Sequence, residues 1–82
     1  MGPEAQGLVL YVREGCHLCE QFLLDFSLDF PSRLEALRLQ DVDSDPALAR
    51  EFGLRIPVLA ADGAVACEGI YDRAKVGVAL GL

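Results

Sequence analysis

The apolar run LVLYV, Leu8 to Val12, is followed after three residues by the amphipathic stretch CHLCEQFLLDF. A continuous apolar run with β-branched and aromatic members, ended by charge and Gly15, reads as a strand buried on both faces. From His17 the period changes. Leu18, Leu23, Phe22 and Phe26 recur at three and four, with Cys19 on the same side, while Glu20, Gln21, Asp25 and Asp29 point elsewhere. That is a helix, and it ends near Phe30-Pro31, because the residue before a proline is pushed out of the helical region. A buried strand feeding a helix requires a second strand parallel to the first, joined by a right-handed crossover.

The rest of the chain supplies it. Leu34, Leu37, Leu39 and Val42 predict a second strand around Ala36 to Val42, although Leu-rich text of this kind also fits a helix. Asp45-Pro46 offers a capping side chain and a proline at the first helical position, and Gly53 stands at the far end, which gives a short helix from Pro46 to Phe52. Ile56 to Ala60 and Ala64 to Cys67 are joined through Ala61-Asp62-Gly63, and Asp-Gly between β-like runs signals an antiparallel hairpin. Asp72 can cap a last short helix carrying Val76, Ala79 and Leu80. The expected order is β-α-β-α-β-β-α, an α/β fold with a four-stranded mixed sheet and helices on its faces.

Size and charge narrow the function. The 82 residues make one domain, 1–82, with residues 1–7 read as a flexible N-terminus, and 52% apolar residues are enough for a packed interior. Thirteen acidic residues against seven basic ones give a net charge of -6, and the basic residues are scattered, which disfavours binding to nucleic acid. MGPEAQG has no basic n-region, and no stretch approaches the ~20 apolar residues of a membrane span. The expectation is a cytoplasmic monomer that binds neither nucleic acid nor membrane. In that compartment, three cysteines without a secretory signal do not read as a disulfide framework.

The placement of Cys16 and Cys19, at the junction of strand and helix, is what carries chemistry. Three steps along a helix put their Cα atoms about 5 Å apart, within disulfide range. Cys16 sits at the helix start, where free N–H groups and the macrodipole favour an anion, so its pKa should fall below the usual value of about 8.5 and make it the nucleophile. Cys19, one turn in on the apolar face, should be the resolving thiol. Arg13 and His17 are placed to favour the thiolate, Arg13 also to hold an anionic substrate; His17 is equally at home as an exposed polar residue, and the lesser reading of Arg13 is a solvated charge at a strand end. Zinc is a weaker reading: a tetrahedral site needs four ligands, and the remaining candidates are His17, which neighbours Cys16 and points away, and Cys67. No metal site within the chain is expected. Cys67 reads as a small buried hydrophobe.

With LYVREGCHLC, LRIPVL and CEGIYD in this order, the sequence resembles the glutaredoxin branch of the thioredoxin-like superfamily, specifically its short bacterial glutaredoxin-like proteins. The resemblance runs from Leu8 to Leu80. It implies the three-layer thioredoxin-like fold of glutaredoxin type and the activity of a thiol-disulfide oxidoreductase, with Cys16 and Cys19 as the redox pair and Arg13 as the basic residue three before it. It also implies a cis Ile56-Pro57 bond facing the cysteines, with the backbone before the proline turned out to pair with a peptide or glutathione. Gly69 and Asp72 are what remains of the glycine pair and acidic pair that hold glutathione in the family; Glu68 replaces one glycine. The implied partners are a disulfide-containing protein or glutathione, with glutathione as co-substrate and no tightly bound cofactor. His17 and Leu18 replace the family's usual proline and aromatic, so the redox potential is not inherited. Two rivals stay open at this point: an iron-sulfur or metal carrier using Cys16 between two chains, and an adaptor in which the cysteines are incidental.

Overall fold

A computed structural model describes residues 7–82. Strand β1 (Leu8–Val12) leads into helix α1 (His17–Asp29), followed by a 3-10 turn over Pro31–Ala36 and strand β2 (Leu37–Asp41). A second 3-10 turn, Val42–Ser44, precedes helix α2 (Pro46–Phe52); strands β3 (Val58–Ala61) and β4 (Ala64–Glu68) and helix α3 (Arg73–Ala79) complete the chain. The sheet order is β2-β1-β3-β4. β1 runs parallel to β2 and antiparallel to β3, and β3 pairs antiparallel with β4.

Strand alternation sends successive residues of β1 to opposite faces. Leu8 and Leu10 join Phe22, Phe26, Leu59, Cys67 and Val76 in one core, so α1 and α3 cover that face. On the other face, Val42, Phe52 and Val58 form a smaller core with Tyr11, Leu48 and Ile56, beneath α2. There the Tyr11 ring stacks on Phe52 at 4.6 Å between centroids. This is the three-layer thioredoxin-like arrangement, in the strand and helix order expected.

The boundaries move for local reasons. Val42 leaves the second strand for a 3-10 turn and is fully buried against Phe52 and Val58, on the face opposite α1. β3 starts at Val58, directly after the Ile56-Pro57 bond, which is cis, and not at Ile56. Leu18 is not on the buried stripe of α1, which consists of Cys19, Phe22 and Phe26; Leu18 is 48% exposed on the first turn. Gly53 has an ordinary right-handed conformation, φ -56°, so a left-handed helix end is not what requires it. A Cβ there would collide with the Ala49 carbonyl oxygen and lie 3.3 Å from Nη2 of Arg13. The N-terminal stretch read as flexible falls mostly on residues 1–6, outside the described residues. Gly7 is fastened to the hairpin turn: its N–H donates to Asp62 Oδ1 at 2.9 Å, and its carbonyl accepts from the Asp62 N–H at 2.9 Å.

Register places the chemistry. Val12 pairs with Asp41, Tyr11 with Val58, and Val58 with Glu68. The segments leaving β1, β2 and β4, and the one leading into β3, therefore meet at one end of the sheet. The loop carrying Cys16, the cis bond and Gly69 all lie at that end.

Candidate functional site

Cys16 is the N-cap of α1. Gly15 takes φ +81°, a left-handed conformation suited to glycine, and the Cys16 N–H donates to the Arg13 carbonyl at 3.3 Å. This tight turn brings the chain from strand to helix. The Cys16 Sγ accepts the Cys19 N–H at 3.1 Å, in the role a serine or aspartate oxygen plays at other caps. The two cysteines are joined as a disulfide, Cα to Cα 5.2 Å. They differ in access: Cys16 is partly exposed, whereas Cys19 is 4% exposed and packs into the α1 face of the core. Beside them a cleft of about 250 Å³ is lined by Val12, Arg13, Glu14, Gly15, Cys19, Glu20, Leu23 and Leu39.

The two neighbours named as thiolate-tuning residues are placed very differently. All three guanidinium nitrogens of Arg13 are engaged. Nε and Nη2 form a bidentate fork on Asp43, at 2.8 and 2.9 Å, and Nη1 donates to the Gly53 carbonyl at 3.2 Å. The fork on Asp43 and its charge raise the Arg13 pKa, and the same fork lowers that of Asp43. Arg13 thus ties the loop after β1 to the turn after β2 and the end of α2. The His17 imidazole is almost wholly solvated, with Nδ1 3.9 Å from Glu20 Oε1.

Pro57 leads into β3 at the same end of the sheet. Its peptide bond with Ile56 is cis. The Ile56 N–H donates to the Phe52 carbonyl at 3.0 Å, so that donor is engaged inside the protein. The Pro57 carbonyl accepts the Gly69 N–H at 2.8 Å, and Gly69 has φ +74°, a conformation that disfavours any side chain. Arg55 repeats the pattern of Arg13. Nη2 and Nε fork onto Glu68 at 2.7 and 3.1 Å, Nη1 reaches the Glu51 carbonyl at 3.4 Å, and the guanidinium lies 5.2 Å over the Phe52 ring. Arg55 lowers the pKa of Glu68. Asp72 is the N-cap of α3, its Oδ1 accepting the Lys75 N–H at 3.1 Å. Cys67 lies in the core under α1 and α3, with its thiol donating to the Ile70 carbonyl at 3.5 Å, and burial raises its pKa.

A family model described as Glutaredoxin-like domain (DUF836) matches residues 7–79. The chain belongs to that glutaredoxin-like family. Two solved structures agree. Protein Ne2328 from Nitrosomonas europaea, solved by solution NMR, superposes with a TM-score of 0.76 at 31% identity, over 89% of this chain and 88% of its own. Protein XcR50 from X. campestris, an X-ray structure, gives a TM-score of 0.70 at 31% identity, over 90% of this chain and 95% of that one. No curated protein matches the sequence. This glutaredoxin-like domain therefore combines the thioredoxin-like fold with a CxxC pair at the start of α1.

Sequence reasoning named Arg13 without its partner. Asp43 is 30 residues away and lies in a turn, where an aspartate needs no special explanation. Arg55 carried no signal either; its place beside the cis bond becomes visible only once Glu68 is seen across β3 and β4. Among the described residues, no group of three or more His, Cys, Asp or Glu is arranged to hold a metal ion, and no helix is long and apolar enough to cross a membrane.

Proposed function

We propose that this domain is a thiol-disulfide oxidoreductase that reduces disulfides through Cys16. The observation that carries this reading is the Cys16 sulfur at the N-cap of α1, accepting the Cys19 N–H at 3.1 Å and bonded to the less accessible Cys19. When the pair is reduced, that N–H and the helix dipole favour a thiolate at Cys16. The thiolate attacks one sulfur of a substrate disulfide. A Cys16–substrate bond forms, the substrate bond breaks, and the departing thiolate takes a proton from solvent. Cys19 then gives up its proton to solvent and attacks the Cys16 Sγ, which forms the Cys16–Cys19 bond and releases the second substrate thiol. Two electrons pass from the domain to the substrate, and an external dithiol returns them.

The geometry favours this division of labour: the partly exposed sulfur meets the substrate, and the 4% exposed one reacts only across the turn it shares with Cys16. A Cys19→Ser variant should stop after the first attack and accumulate a mixed disulfide on Cys16, visible as added mass removed by dithiothreitol. Cys16→Ser should accumulate none. If neither variant traps substrate and the Cys16–Cys19 bond of the parent does not open and close reversibly, the reading fails. Anaerobic iron-sulfide reconstitution separates the carrier alternative, which requires a visible chromophore lost in Cys16→Ser.

A further inference from the structure

We propose that this centre takes its disulfide from a polypeptide with basic residues beside the reacting cysteine, and that it discriminates against glutathione. The inference rests on the oxidoreductase reading and adds the substrate class. Glutathione is a short, anionic thiol with two carboxylates and one ammonium in each half, so an active site that selects it must supply cations. Both arginines nearest the pair and the cis bond have each guanidinium nitrogen engaged once internally and their charge paired with a carboxylate. Arg13 gives its three nitrogens to Asp43 and the Gly53 carbonyl, and Arg55 gives its three to Glu68 and the Glu51 carbonyl.

The free charge at the disulfide has the opposite sign. Glu14 and Glu20 line the cleft beside Cys19 and are solvent-exposed. Among the described residues Glu14 has no ion-pair partner, and Glu20 has only His17 at 3.9 Å. The whole chain carries -6, so the long-range field also attracts cations. Shape agrees with charge. The cleft shares Glu20, Leu23 and Leu39 with an open groove of about 580 Å³ between α1 and the β2 edge, lined by Leu24, Leu34 and Leu37 as well. That groove offers apolar surface to a chain longer than a tripeptide, continuous with the acidic cleft at the cysteines.

The test is a rate comparison with the reduced domain. Its substrates are three peptide disulfides identical except for lysine, alanine or glutamate flanking the cysteine, and the glutathione mixed disulfide of the alanine peptide. At low ionic strength each favourable charge should raise the rate about fivefold, which orders the peptides lysine, alanine, glutamate and leaves glutathione no faster than the alanine disulfide. The spread should collapse as NaCl rises towards about 1 M. It should shrink in Glu14→Gln/Glu20→Gln, and Asp43→Asn, which frees the Arg13 fork, should quicken the glutathione reaction. Glutathione reacting faster than the alanine disulfide, or rates indifferent to charge and salt, would overturn the inference while leaving the redox reading intact. The alanine peptide reports on the redox reading by itself: if even that is not reduced, the oxidoreductase function falls and the substrate class with it.

Discussion

At the scale of single residues, three cysteines of one chain meet three environments. Cys16 caps a helix and is partly exposed, Cys19 sits one turn deeper, and Cys67 is 3% exposed between sheet and helices. Desolvation disfavours the Cys67 thiolate, and its proton is held on the Ile70 carbonyl. In the reduced protein, iodoacetamide at neutral pH should therefore modify Cys16 first and leave Cys67 untouched until urea unfolds the chain. Peptide mass mapping against time checks this, and early labelling of Cys67 in the native protein would contradict the environment described. The sequence made Cys16 and Cys19 legible because a short-range feature fixes their geometry: a three-residue spacing at a strand-helix junction. It also made Cys67 legible as a buried residue, because a free cysteine behaves as a small hydrophobe. It could not show that Arg13 is engaged, since that depends on Asp43 arriving from 30 residues away and on Gly53 lacking the side chain that would crowd it.

At the scale of elements, α3 has seven residues, too few to persist alone, and is held by its contacts. Asp72 caps it, its own Val76 is fully buried in the core, and the Tyr71 ring just before it meets Phe22 edge-on at 5.0 Å. The Tyr71 hydroxyl donates to Asp29 Oδ2 at 2.9 Å, which fastens the start of α3 to the end of α1, with Arg73 3.6 Å from the same oxygen. Tyr71→Phe should cost about 1 kcal/mol, the usual net worth of such a bond, read as a lower urea midpoint. The pH dependence is the sharper signature. Desolvation and the Asp29 hydrogen bond raise the Tyr71 pKa well above its ordinary 10.0. An acid whose folded value is raised contributes stability that is fully present below the unfolded value and is lost as pH rises from there. The parent should lose stability above about pH 10, and the phenylalanine variant should lose less. Equal alkaline losses would mean that Tyr71 is not the group responsible. Nothing in IYDRAK announces this tie, because Asp29 is 42 residues away; the helix itself was legible from Asp72 and the spacing of its apolar residues. The Leu-rich stretch that contains β2 was ambiguous for a related reason. Whether Leu34 to Val42 forms helix or strand is decided by pairing with β1, where Leu8 faces Leu37 and Leu10 faces Leu39, and a single chain segment does not contain its partner.

At the scale of the whole molecule, the two arginine forks lace together the end of the sheet that carries the disulfide. Arg13 with Asp43 joins the loop after β1 to the turn after β2, and Arg55 with Glu68 joins the segment before β3 to the end of β4. The architecture was readable because burial on both faces of β1 leaves few ways to arrange helices, whereas the lacing is surface chemistry that many sequences of this fold could do without. Both pairs are substantially exposed, so each contributes little and is weakened by salt. Their common signature is acid sensitivity. Arg13 holds Asp43 below its ordinary 3.8, and Arg55 holds Glu68 below its ordinary 4.5. A carboxyl whose folded pKa is depressed contributes stability that is present above the unfolded value and is lost as pH falls through the folded one. The urea midpoint of the oxidised domain should thus change little between neutral pH and about 4.5, then fall as Glu68 and Asp43 take up protons in turn. Asp43→Asn/Glu68→Gln should start lower at neutral pH and descend less steeply below it, with the two curves converging in acid. About 1 M NaCl should narrow the gap at neutral pH. Parallel curves for parent and variant, with the same gap at every pH, would mean that the forks hold no differential charge energy, and the acidic cleft at the cysteines would then have to be explained without them.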